Sequence, residues 1–276
     1  MASREKMGHP APRIAQGDLF DAAGWPAQAP PAACHPRERD DTALIAALPH
    51  ASQTACPALA EEVVRRRLTA AVPALEALCR RFAGFGREHL VREQAVALEA
   101  LVALGGTEAA AAVGRLIVGR VIAGPGLERA LGAAVALRVR LPVGVVWALL
   151  RDAVPTIRAH ACRLARIWPQ TAQLLIELLE DLHPETAAAA ACALGEMGRG
   201  EARPWLLRQL ARAPSAEIIA ALAAIADEAT LVLLGRLARS RDDLREPVRA
   251  ALAASDHPRA AVILERLAPP RSRGDR

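Results

Sequence analysis

Between about residue 41 and residue 268, apolar residues recur at helical spacing in short segments broken by Gly, Pro, Thr or Ser. The segments come in pairs. The second members of successive pairs are expected to start near Val91, Leu127, Thr156, Thr186, Ser215 and Leu244, in steps of 36, 29, 30, 29 and 29 residues. The helices between them are expected near Glu108, Val143, Thr171, Glu201, Glu228 and Arg259. Two short helices cannot bury an apolar face on their own, so each pair must lean on the next. The expected fold class is therefore all-α: an α-solenoid of about six to seven antiparallel helix pairs over residues 41–268.

Composition agrees. Aromatic residues are 3% of the 276 and tyrosine is absent, whereas Ala, Leu and Arg abound. Such a chain forms helices rather than strands, which argues against all-β and α/β folds. It also lacks the exposed rings of a stacking surface for single-stranded nucleic acid. Residues 1–40 differ, with six prolines and no sustained periodicity, and are expected to be a disordered tail. Residues 269–276 form a second, basic tail. The five cysteines show no metal or disulfide-framework spacing, no secretory leader is evident, and Arg115, Arg120 and Arg151 interrupt the longest apolar stretches. A cytoplasmic protein with no membrane contact is expected.

Small residues mark the joints. Gly105, Gly106, Gly195 and Gly198 are expected at left-handed helix ends, and Thr156, Thr186 and Ser215 at N-caps. Ala193-Leu-Gly-Glu-Met-Gly198 with Glu201-Ala202, and Val91-Arg92 with Ala103-Leu-Gly-Gly-Thr-Glu-Ala109, resemble HEAT repeats of the short phycobilin-lyase-like type. Ile157-Arg158 and Leu244-Arg245 resemble that family's apolar-Arg helix start. The resemblance spans roughly residues 58–268 and implies a binding scaffold. Ile167-Trp168-Pro169 and Ile225-Ala226-Asp227 depart from it by lacking the paired glycines, and the longest step, around Gly124-Pro125-Gly126, implies an insertion or a bend.

Charge is uneven. Residues 115–166 carry nine arginines against Glu128 and Asp152, whereas residues 167–268 carry 11 basic and 14 acidic groups. Arg129, Arg138, Arg140, Arg158, Arg163 and Arg166 are expected on the second helices of neighbouring pairs. There they would form a basic arc that attracts phosphates or an acidic protein segment. The competing reading is that several of them cap carbonyls or pair with acids elsewhere in the fold.

In the N-terminal tail, Gln16-Gly-Asp-Leu-Phe20 resembles the short peptide by which many bacterial replication and repair proteins bind the DNA sliding clamp. Gln16, Asp18, Leu19 and Phe20 match that motif, in which the Gln hydrogen-bonds at one subsite and the Leu-Phe pair fills an apolar pocket. Gly17 departs from its commonest Leu. As a linear motif it would order only on its partner; the competing reading is an incidental tail segment whose Leu19-Phe20 packs against the first helix.

Catalytic signals are thin. The His-Glu dyads of deoxyhypusine hydroxylase, a HEAT-like metalloenzyme, are absent, and His160 and Cys162 point to different faces of one helix. Cys162 and Cys192, 30 apart, read as stacked core residues. Helical-repeat alkylpurine DNA glycosylases need exposed aromatics beside a carboxylate. Trp147 with Arg151 and Asp152 is the nearest approach, and Trp147, Trp168 and Trp205 read as core fillers. No metal or other cofactor and no reaction is expected. The sequence reading is a non-enzymatic scaffold or adaptor for an acidic partner, with protein foremost. Its alternative is a DNA replication or repair accessory protein tethered to the clamp and touching the DNA backbone.

Overall fold

The computed structural model describes residues 35–267. His35–Arg39 form a separate small unit, a 3-10 turn over Pro36–Glu38 closed by a reciprocal bond pair between His35 and the 37–38 segment. From Asp40 onward the described residues hold fifteen α-helices and no strand. In order they are α1 Asp41–Ala47, α2 Cys56–Arg65, α3 Val72–Arg81, α4 Arg92–Leu104, α5 Gly106–Val118, α6 Pro125–Ala136, α7 Val143–Leu150 and α8 Pro155–Ala165. There follow α9 Ala172–Glu177, α10 Pro184–Glu196, α11 Arg203–Arg212, α12 Ala216–Ala224, α13 Glu228–Ser240, α14 Asp242–Ala253 and α15 Pro258–Leu267. From α4 onward every helix starts within two residues of its expected position.

The even-numbered helices form one continuous layer. Within it α2 packs on α4, α4 on α6, α6 on α8, α8 on α10, α10 on α12 and α12 on α14. Most odd-numbered helices pack on the even helix that follows, as α3 does on α4 and α13 on α14. A single apolar core runs through all of it, from Leu44 to Leu267. Alanine is what lets the even layer close: Ala189, Ala190, Ala191 and Ala193 of α10 are all buried between α8 and α12. Side chains this short let helix axes approach and so bury backbone as well as methyl surface.

Helix starts are set largely by proline. Pro155 and Pro184 occupy the first turns of α8 and α10, where a missing N–H costs nothing. This moves both starts ahead of the expected threonine caps. Thr156 and Thr186 lie inside their helices, and Thr186 Oγ1 donates to the Pro155 carbonyl at 3.1 Å, tying α10 to α8. Ser215 does cap α12, accepting from the Ile218 N–H at 3.3 Å.

Helix ends hold a correction to the glycine reading. Gly105, Gly106 and Gly198 have positive φ, but Gly195 is helical. Three further left-handed residues are arginines: Arg67, Arg120 and Arg138, with φ of 53, 50 and 52°. At Arg138 the N–H donates to the Val135 carbonyl at 3.1 Å, and the Val139 N–H donates to Ala134 at 2.8 Å. That is the bond pair of a Schellman ending, and the same pair recurs at Arg67 and Arg120 and, with glycine, at Gly198.

The long step before α6 is also explained. Gly124, at φ +54°, lies so close to the carbonyls of Gly86 and Arg87 that a side chain would overlap them. The 82–91 segment between α3 and α4 thus rests on the entrance to α6. Buried Gln94 holds that segment from beneath, donating to the carbonyls of Cys79 and Phe82.

Candidate functional site

The six arginines of the expected arc divide sharply once the fold is known. Arg158, at 14% side-chain exposure, donates from Nε and Nη2 to Asp181 at 2.9 and 3.0 Å and from Nη1 to the Asp152 and Ala153 carbonyls. Asp181 is 7% exposed, and the guanidinium holds its carboxyl below the usual carboxylate range. Arg158 is a staple between the approaches to α8 and α10, with little of its side chain left at the surface. Arg129 pairs with Glu99 at 2.9 Å, Arg166 with Glu196 at 2.9 Å and Arg163 with Glu217 at 3.4 Å. Glu99 and Glu196 belong to the even helices next to those of their partners, and Glu217 lies in α12, one even helix beyond α10, so the pairs bridge the layer.

Arg138 and Arg140 are different. Both are exposed, and neither has a carboxylate partner among the described residues. They also do not lie on a helix, contrary to expectation, because α6 ends at Ala136 in the turn that puts Arg138 at C′. Val139 between them is driven into the core while both arginines face outward. The Arg140 guanidinium stands 6.0 Å from the centre of the Trp168 ring, within reach of a cation–π attraction.

Two grooves flank this turn. One, of about 350 Å³, lies between it and the end of α8, with Arg138, Arg140, Arg163 and Arg166 around it and Leu164 and Ile167 in its wall. Four arginines thus line one groove, and carboxylates pair with two of them. The other groove is larger, about 1070 Å³, and runs along α5. Gly105, Ala110, Ala111, Gly114 and Val118 pave it, and Arg138 and Arg140 overhang it. Arg80 and Arg115 line its far side, both bound to Glu76, whose carboxyl is held below its usual range chiefly by Arg115. The Arg138–Arg140 turn is therefore a ridge shared by two grooves, each largely apolar in its walls and each edged by arginines.

Other sequence readings fare variously. Trp147 is 42% exposed rather than a core filler, whereas Trp168 and Trp205 pack against the core. Cys56, Cys79, Cys162 and Cys192 are buried, and burial pushes the last three thiols up to about 12 and Cys56 to about 11. Such thiols stay protonated and unreactive at neutral pH. His160 is half-buried, and burial lowers its pKa, with Arg163 adding to the effect. Gln16, Asp18, Leu19 and Phe20 lie outside the described residues, as does the 269–276 tail. Among the described residues no helix is long and apolar enough to cross a membrane.

The groove along α5 was not read from the sequence. Its signal was available in the run Gly105-Gly-Thr-Glu-Ala-Ala-Ala-Ala-Val-Gly114, whose small residues leave one face of a helix without bulk. No protein-family description and no characterised protein matches the chain.

Proposed function

We propose that this protein is a non-enzymatic scaffold of the HEAT-like α-solenoid type, six to seven stacked helix pairs that hold an acidic protein segment against the Arg138–Arg140 ridge. The observation that carries the reading is the placement of Arg138, Arg140, Arg163 and Arg166 around one groove, with two of the four lacking any carboxylate partner among the described residues. Uncompensated guanidiniums beside an apolar channel suit a segment with carboxylates on one side and small apolar residues on the other. Stacked helices fix the groove before the partner arrives, which reduces the ordering cost of binding. The arc is thus narrowed to Arg138 and Arg140 as principal contacts. Arg163 and Arg166 are shared with Glu217 and Glu196, and Arg129 and Arg158 serve the fold.

Fluorescence anisotropy with a labelled Glu/Leu-rich peptide and the full chain tests this. Binding is expected to weaken as salt rises and to fall about tenfold or more in the Arg138→Gln/Arg140→Gln variant. Equal affinity of that variant overturns the ridge. Tight, salt-sensitive binding of duplex DNA with no binding of the peptide would instead favour the DNA-accessory reading, including its sliding-clamp tether.

A further inference from the structure

The C-terminal end of the helical unit carries a second cationic cleft, independent of the ridge. Arg236 and Arg239 are three apart on α13, and Arg259 and Arg266 are seven apart on α15, so each pair shares a helix face. α13 and α15 pack directly on each other. Their four arginines surround a cavity of about 220 Å³. Gly235 lets α15 come close, because a Cβ there would stand 2.7 Å from Ile263 Cγ2. Ile263 and Leu267 line the same cleft.

Negative charge is scarce here. Glu228 lies 3.4 Å from Arg259 Nε, within ion-pair range, yet that buried Nε makes no hydrogen bond. Arg239 gives its Nε to the Gly235 carbonyl at 3.3 Å and keeps its terminal nitrogens. Arg236 and Arg266 have neither carboxylate nor hydrogen-bond partner among the described residues. Four positive groups therefore face one carboxylate. The cleft is too small for a helix, which needs a passage of about 10–12 Å. It suits a compact tetrahedral anion whose several oxygens can each meet a planar guanidinium fork.

We propose that the α13–α15 cleft binds a phosphate dianion, either free phosphate or the phosphomonoester of a small molecule, with Arg236, Arg239, Arg259 and Arg266 as its donors. The test is calorimetric titration of the full chain with inorganic phosphate and, separately, with O-phosphoserine, at ionic strength matched by chloride. Wild type is expected to bind at least one of them. Phosphate binding without phosphoserine binding identifies a closed site for the free ion; binding of both identifies a site open to esters. Arg236→Gln/Arg266→Gln is expected to weaken binding by about tenfold or more. Arg236→Lys/Arg266→Lys, which keeps charge but loses the fork, should fall between. Both arginines are exposed, so the variants should keep the wild-type circular dichroism spectrum and Tm. Arg138→Gln/Arg140→Gln should bind phosphate as wild type does, which separates this site from the ridge. Heats no larger than those of chloride in wild type, or unchanged affinity in a folded Arg236→Gln/Arg266→Gln variant, would overturn the site.

Discussion

Arg158 and Asp181, 23 positions apart, face each other through a two-pronged pair of hydrogen bonds at 2.9 and 3.0 Å, with both side chains largely withdrawn from water. The geometry makes a contact that the fold cannot lose cheaply. Replacing Arg158 by Met leaves the Asp181 carboxylate buried without its cation and the Asp152 carbonyl without a donor. A loss of about 3 kcal/mol is expected, or a fall in Tm of very roughly 10 °C for a domain of this size. Thermal unfolding of Arg158→Met beside Arg129→Met, whose exposed pair is worth about 1 kcal/mol or less, checks it. Equal Tm values for the two variants would refute the staple.

Acid sensitivity follows from the same kind of pairing. Glu62 accepts from Arg65 and Arg66, which lower its carboxyl from 4.5 to about 2, Arg65 most of all. A carboxyl depressed in the folded state contributes stability that is present above its unfolded value and is lost as pH falls through the folded value. Asp181 and Glu76 are shifted in the same direction. Stability should therefore be level near neutrality and decline from about pH 4.5 toward pH 2. Urea midpoints measured across that range would test this, and Glu62→Gln should flatten the slope.

The left-handed arginines allow stability and binding to be separated. An L-residue at φ near +50° carries a strain of about 1 kcal/mol that glycine avoids. Arg120→Gly and Arg138→Gly are both expected to raise Tm by roughly 2–4 °C. They should differ in binding: Arg120→Gly should hold the acidic peptide normally, while Arg138→Gly should bind it more weakly despite being more stable. Equal peptide affinity in the two variants would remove Arg138 from the ridge.

The groove along α5 can be probed without touching an arginine. Ala111 is exposed on its wall, and glutamate is tolerated at an exposed helical position at little cost. Ala111→Glu should leave Tm within about 2 °C of wild type. The new carboxylate would then compete for the Arg138–Arg140 pair and reduce acidic-peptide binding several-fold. Unchanged anisotropy curves would confine the partner to the smaller groove.

How much of this was legible in the sequence depends on the range of each interaction. Helix positions were legible because apolar spacing and breakers act within a few residues. Three helix ends were not, because arginine stands where glycine is the usual signal, and Val135-Ala-Leu-Arg-Val-Arg140 carries no breaker at all. That concealed the turn beneath Arg138 and made the pair look helical. The charge map was legible in outline only. The acidic excess after residue 167 includes Asp181, Glu196 and Glu217, which reach back to Arg158, Arg166 and Arg163. Pairings 23 to 54 residues apart depend on how helices stack, and no local pattern encodes that.

Gly195 gives the most exacting test of the packing. It lies inside α10, where replacing glycine by alanine ordinarily gains about 1 kcal/mol of helix propensity. A Cβ at this point, however, would sit 2.8 Å from both the Cβ and the carbonyl oxygen of Ala221 in α12. The carbonyl belongs to the α12 backbone and cannot rotate aside, so the two helices must move apart. Forcing an extra methyl into such a contact costs about 1–3 kcal/mol, which outweighs the propensity gain at all but the lower end. Gly195→Ala should therefore unfold at lower urea than wild type. Gly132→Ala in α6, whose Cβ would meet only His160 Cε1 at a comfortable 3.7 Å, should be neutral or slightly stabilising. If both variants shift the urea midpoint in the same direction, glycine at 195 is not what sets the spacing of α10 and α12.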